Sequence, residues 1–233
     1  MAYAYKTRRI IVIISTLIIF IYIIINNTLV LINSNITDTK DASKSVSTLA
    51  IKELDKIAVK GRAPKMDYSR EQFGAGWNTK QGCDTRNIIL NRDLTNTVVD
   101  EQCNVSSGTL NDPYTGKLVS FIRGSSTSSA VQIDHVVALS DAWQKGAQQL
   151  TTMRRIELAN DPLELLAVDG AANSQKSDSD AATWLPSNKE FRCQYVARQI
   201  AVKQKYSLWV TQAEHDAISD ILIKCPEQLL SSP

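Results

Sequence analysis

"AVQIDHVVALSDAW", Ala130 to Trp143, is the stretch whose reading decides the fold. Up to His135 the pattern is extended: Val131, Ile133 and His135 fall on one face by period two. From Leu139 the period changes. Leu139, Ala142, Trp143, Ala147 and Leu150 recur at helical spacing, with Ser140 available as the N-cap. The adjacent Asp134 and His135 sit at the junction. They either open a catalytic centre or are a polar pair at a strand end.

The flanking sequence extends this strand-then-helix unit. "DPLELLAV" (Asp161 to Val168) is a short apolar run opened by a proline and reads as a strand. "AANSQKSDSDAATWLP" reads as a helix stopped at Pro186. On it Asn173, Lys176, Ser177 and Asp180 lie at i, i+3, i+4 and i+7 and share a face. "SNKE" (Ser187 to Glu190) and "TQAE" (Thr211 to Glu214) match capping boxes, ahead of helices to about Lys205 and Lys224. Upstream, "NIILNRDL" reads as a helix. "DPYTG" (Asp112 to Gly116) is a turn signal that makes Val105 to Arg123 a hairpin. The class is therefore α+β, a strand–helix–strand–helix core with a helical tail.

The first residues differ from the rest. Lys6, Arg8 and Arg9 precede an uncharged segment from Ile10 to Ile32. A bilayer crossing needs about 20 apolar residues, and the basic flank orients the remainder outward. A cleavable signal peptide is the rival, but no convincing small-x-small cleavage site follows, which favours an uncleaved anchor. Either way the domain is exported. The expected organisation is residues 1–32 as anchor or signal, 33–62 as linker with a short amphipathic helix in "TLAIKELDKIAVKG", and 63–233 as the folded domain. The extracytoplasmic placement suits Cys83, Cys103, Cys193 and Cys225. None lies in a CxxC, which argues against structural zinc. Of three pairings the sequence-local one, Cys83–Cys103 with Cys193–Cys225, is expected.

The formal charge of +2 on 233 residues excludes nucleic-acid binding by bulk electrostatics. No phosphate-cradling glycine loop, dinucleotide fingerprint or nucleophile elbow is present. His215 sits in the first turn of the last helix and reads as a surface residue. Sites that need two histidines are thereby excluded.

"IDHVVALSDAW…LANDPLELLAVDGAANSQKSDSDAATWLP", with "GCDTRN", "DPYTG" and "FRCQYVARQIAVK", resembles the exported HNH-endonuclease-like proteins of actinobacteria. These are related to the C-terminal nuclease domain of modification-dependent (GmrSD-type) restriction enzymes. The resemblance covers most of Tyr68 to Cys225. It implies a ββα-metal (HNH) core in which His135 is the general base, Asp134 a metal ligand and Asn173 the ligand from the helix, with Lys176 the lysine that commonly follows. It implies a metal-dependent endonuclease cutting DNA, with RNA also open. Two departures stand out. The asparagine that usually ties the metal loop is Glu164 here, and an acceptor-only carboxylate cannot donate those bonds; Asn160 is a partial substitute at a different position. The ligands are oxygen donors, which favour Mg²⁺ or Mn²⁺ over Zn²⁺.

Each residue has a plainer reading. Asn173 is also a good N-cap. Lys176 has the alternative of a solvated lysine, and Asp180 and Asp178 read as solvated or capping carboxylates rather than ligands. Arg123, before the histidine strand, either binds phosphate or is structural. Lys189, Arg192, Arg198, Lys203 and Lys205 either line a nucleic-acid path or form a solvated helix face. The alternative function is a surface-anchored nucleic-acid-binding or adhesion domain that has lost catalysis, which Glu164 favours. The expected partners are nucleic acid and, through residues 10–32, a membrane; no protein partner is predicted.

Overall fold

A computed structural model describes residues 48–231 and the isolated Tyr22. The apolar segment from Ile10 to Ile32, Tyr22 excepted, and the linker up to residue 47 lie outside the described residues. Among the described residues no helix is long and apolar enough to cross a membrane. Seven strands and seven α-helices are described. The strands are β1 (Thr79–Lys80), β2 (Cys83–Asp84), β3 (Leu94–Val99), β4 (Val105–Asn111), β5 (Leu118–Ile122), β6 (Val131–His135) and β7 (Leu165–Asp169). The helices are α1 (Ala50–Leu54), α2 (Thr85–Asp93), α3 (Leu139–Gln144), α4 (Thr152–Ala159), α5 (Gly170–Lys176), α6 (Arg192–Lys205) and α7 (Gln212–Leu222).

β6 pairs antiparallel with β7, placing Asp134 opposite Leu166 and His135 opposite Leu165. Val131, Ile133, Leu165 and Ala167 send their side chains into a cluster with Ile89 and Leu90 of α2 and Val105, Leu110 and Phe121 of the β3–β4–β5 meander. Leu166 and Val168 point the other way, into the larger core built by α3, α6 and α7. The two-stranded sheet thus divides two apolar cores, and alternation sends neighbouring residues to different ones.

The Val105–Arg123 hairpin and the α2 helix form where the sequence places them. The Asp84 carboxylate caps α2 by accepting from the Asn87 N–H at 2.7 Å. Thr211 caps α7 in the same manner, accepting from the Glu214 N–H. Both expected disulfides are present, Cys83–Cys103 and Cys193–Cys225. The second joins α6 to the end of α7.

Three boundaries differ from expectation. The folded unit starts at Thr48, not Ala63. Residues 48–62, assigned to the linker, bury Ala50, Leu54 and Ile57 in the larger core. The helix expected from Leu139 to Leu150 breaks after Gln144, because Gly146 takes φ +124°, at a point where a Cβ would come within 3.2 Å of the Trp209 ring. Ser140 is not its N-cap. Position Ala138 fills that role without a side-chain bond, and the Ser140 hydroxyl donates to Asp178 instead. The helix after β7 ends at Lys176, since Ser177 adopts φ +51°, so Asp180 does not share a helix face with Asn173. The sequence reading also passes over α4, which Thr151 caps through the Arg154 N–H.

Candidate active site around His135

β6 ends in Asp134 and His135, and both side chains are buried. The Asp134 carboxylate accepts from the Tyr114 hydroxyl on one oxygen and from Lys176 Nζ, at 2.9 Å, on the other. Burial pushes this carboxyl above its ordinary range, against the pull of Lys176 and the Tyr114 hydroxyl. The His135 ring leaves the strand on the other side. It lies parallel to the Trp77 indole, with ring centroids 5.8 Å apart and planes 7° from coplanar.

His135 Nε2 lies 3.0 Å from the Ala159 carbonyl oxygen. A carbonyl only accepts, so Nε2 carries the proton and Nδ1 keeps its lone pair. Burial, then the positive charges of Arg70 and Lys176, lowers the imidazole pKa to about 3. The ring is neutral at any ordinary pH. Its orientation is set by the end of α4, an element absent from the sequence reading.

Two cavities meet at this ring. One, of about 260 Å³, is lined by Arg70, Gln132, Asp134, His135, Asn173 and Ser177 among others. The second, of about 210 Å³, is walled by Phe73, Trp77, Leu139, Ala159 and the glycine turn between Phe73 and Trp77, with His135 and Arg70 shared. Asp134, His135 and Asn173 therefore border one space, although Asp134 and His135 leave β6 on opposite faces.

Asn173, in α5, donates from Nδ2 to Gln132 Oε1 at 2.9 Å, and its own Oδ1 accepts no hydrogen bond among the described residues. It does not cap α5; Asp169 does, through the Ala172 N–H. Lys176 is fully buried, and its ammonium donates to Asp134 and, at 2.7 Å, to the His135 carbonyl. It is neither solvated nor directed at an incoming phosphate. It clamps the end of β6. Glu164 is fully buried and pushed well above the carboxylate range by that burial. It does tie the loop after His135, by accepting. Its main-chain oxygen takes the Val136 N–H and its side chain takes the Val137 N–H at 3.2 Å.

The remaining candidates lie elsewhere. Asn160 binds the Asn78 N–H and the Ile156 carbonyl and lines a different cavity. Arg123 donates to the Val105 carbonyl and the Asn87 side chain, joining β4 to α2. Asp180 is buried in ion pairs with Arg62 and Lys145, each at 2.7–2.8 Å. Four of the five tail cations are committed internally. Arg192 and Arg198 donate to main-chain carbonyls, Lys203 pairs with Glu214, and Lys205 with Asp161. His215 is half-buried beside Asp216.

A divalent ion needs donors, and no group of three or more His, Cys, Asp or Glu able to hold a metal occurs among the described residues. The cavity offers the Asp134 carboxylate and the Asn173 Oδ1. This all-oxygen set is sparse, and both Asp134 oxygens already accept hydrogen bonds, from Tyr114 and Lys176; oxygen donors are the type that Mg²⁺ takes, alongside water and substrate phosphate.

Several contributors escaped sequence reasoning. Trp77, Arg70 and Tyr114 reach the site from remote segments, and only Tyr114, in the "DPYTG" turn, lay in a stretch whose local form the sequence announced. A second hidden feature is a buried ionic network. Arg62, Lys145 and Lys203 interleave with Asp141, Asp180 and Glu214 at 2.6–3.6 Å. It ties α3, α6, α7 and the segment after α5 to the region before the first strand. The expected capping-box partner Glu214 is part of it.

Comparison with known proteins bears out the family resemblance. The family described as GmrSD restriction endonucleases, C-terminal domain, matches residues 77–221. A protein of Arthroderma benhamiae described as an uncharacterized secreted protein is 38% identical over 175 residues, covering 74% of this chain and 82% of that protein. Its organism gives the actinobacterial part of the resemblance no support. No solved structure matches the chain.

Proposed function

Since this chain belongs to the family of the C-terminal domain of the GmrSD restriction endonucleases, we propose that it is an exported endonuclease that hydrolyses phosphodiester bonds of DNA, and of RNA where one enters the cavity. The observation that carries this reading is the cavity where Asp134, His135 and Asn173 meet. On this reading β6, β7 and α5 form a ββα-metal unit of HNH type.

His135 acts as general base. The Ala159 carbonyl holds the Nε2 proton, so Nδ1 takes the proton from the attacking water. An anionic phosphodiester in the cavity opposes the charges of Arg70 and Lys176 and raises the basicity of the ring. Lys176 positions both Asp134 and the His135 main chain, and Glu164 fixes the following loop. Asp134 and Asn173 Oδ1 would hold Mg²⁺ or Mn²⁺, which when bound stabilises charge on the leaving oxygen. Export follows from the Ile10–Ile32 segment as anchor or signal, and it agrees with two disulfides and a relative described as secreted.

A second reading has a specific observation behind it. Both Asp134 oxygens are occupied by Tyr114 and Lys176, as suits a surface-anchored nucleic-acid-binding domain without turnover.

A plasmid-nicking assay of the full chain with Mg²⁺, Mn²⁺, Zn²⁺ or EDTA separates the two. Cleavage with Mg²⁺ or Mn²⁺, its loss in EDTA, and a fall of about 10²–10⁴ for His135→Ala are the expected results. Unchanged nicking by that variant removes the mechanism. Binding without cleavage in any ion selects the second reading.

A further inference from the structure

Resting on the nuclease reading, we infer that Arg70 is the residue that grips the substrate phosphate at the His135 cavity. Phosphoryl chemistry in a site with few metal ligands needs a protein cation, and sequence reasoning offered seven. Lys176, Arg123, Arg192, Arg198, Lys203 and Lys205 each spend their charge on internal carbonyls or carboxylates. The seventh, Lys189, is exposed but lines neither cavity at His135. Arg70 was not among them.

Its position answers the need. Arg70 lines both cavities that meet at His135, and its side chain makes no ion pair or hydrogen bond among the described residues. It is exposed, so its charge is presented at the entrance. The segment that carries it is anchored. Arg70–Phe73 is a 3₁₀ turn whose Phe73 is buried edge-on against Trp143. Arg155 of α4 donates to the Gln72 carbonyl at 2.9 Å and to the Gln72 side chain at 3.1 Å. α4 is also the helix whose end holds the His135 ring. One element therefore sets both the base and the cation. Glu71, the nearest acidic neighbour in sequence, lines only the apolar cavity and leaves the polar one to Arg70. A guanidinium presents paired N–H groups that match two phosphate oxygens, which an ammonium cannot do.

The test is binding measured apart from turnover. Fluorescence anisotropy of a labelled single-stranded DNA oligonucleotide in EDTA, across a salt series, is recorded for the full chain and for Arg70→Ala, Arg70→Lys and, as a remote control, Lys224→Ala. Arg70→Ala is expected to weaken binding about tenfold, with a salt slope shallower by about 0.7. Arg70→Lys should restore the slope but only part of the affinity, and Lys224→Ala should match the parent. In Mg²⁺, Arg70→Ala should show a raised KM together with a lowered kcat. Affinity and slope unchanged in Arg70→Ala, while the parent binds and cuts, overturn this assignment and leave the nuclease reading standing. A parent chain that neither binds nor cuts overturns both.

Discussion

Replacing Lys145 by methionine tests the buried ionic network, and its cost can be worked from the structure. The Lys145 ammonium is fully buried and meets Asp141 at 2.8 Å, Asp180 at 2.8 Å and Glu214 at 2.6 Å. Burial alone would lower its pKa, but Asp141 and Glu214 raise it above the usual lysine value. Three cations here balance three carboxylates. Methionine keeps most of the volume and leaves Arg62 and Lys203 against three buried anions. Removing one partner of a buried pair costs about 3–5 kcal/mol, because the other charge stays without compensation. In a domain of this size each kcal/mol moves Tm by about 2–4 °C, so a fall of about 6–20 °C is expected. Adding Glu214→Gln restores two cations against two anions and should recover about 2 kcal/mol. Urea unfolding of the full chain followed by circular dichroism reads both numbers. A Lys145→Met protein within 1 kcal/mol of the parent, or a double variant no better than the single one, refutes the network as a balanced unit.

Three further outcomes follow from the site and its supports. The His135 pKa is held at about 3 against an ordinary 6.5, so the unfolded chain binds more protons between those values and stability falls as the pH drops below 6.5. Relative to His135→Gln, the parent should lose about 2 kcal/mol between pH 6.5 and 4.5 in urea titrations, and a flat difference would show a ring that is not buried neutral. Gly170→Ala places a Cβ 2.0 Å from the Ser129 carbonyl oxygen, which should cost about 1–3 kcal/mol and displace α5, lowering both Tm and nicking. Opening both disulfides with a reductant should cost about 3 kcal/mol for each, from loops of 20 and 32 residues, seen as an earlier thermal transition.

What the sequence disclosed was local. Alternation in "VQIDH" and the apolar run in "LELLAV" located β6 and β7, and the turn residues of "DPYTG" located the hairpin. The helix face carrying Asn173 and Lys176 was legible over one turn and a half, then lost at Ser177, where a left-handed residue follows no periodicity. The roles of single residues were less visible. Lys176 and Lys203 carry the composition of solvated lysines, yet their ammonium groups are fully buried, because their partners, Asp134 and Glu214, lie tens of residues away or on another helix. Trp77 and Arg70 were unreadable as site residues for the same reason. Only folding brings that loop onto the histidine. The amphipathic stretch before Ala63 was legible as a short helix, but nothing local shows that its apolar face, Ala50, Leu54 and Ile57, fills a gap in the larger core.

The ends of the folded unit have a consequence of their own. The Ala50 N–H donates to the Gln228 carbonyl at 2.8 Å, and the Leu230 N–H to the Thr48 carbonyl at 2.9 Å, so entrance and exit are zipped side by side. A body whose two leads emerge together can be spliced into a loop of another polypeptide, or have its leads joined and be reopened elsewhere, with little rearrangement of its interior. The geometry is that of a cassette. A fusion that separates the two leads should loosen that seam before it reaches the histidine.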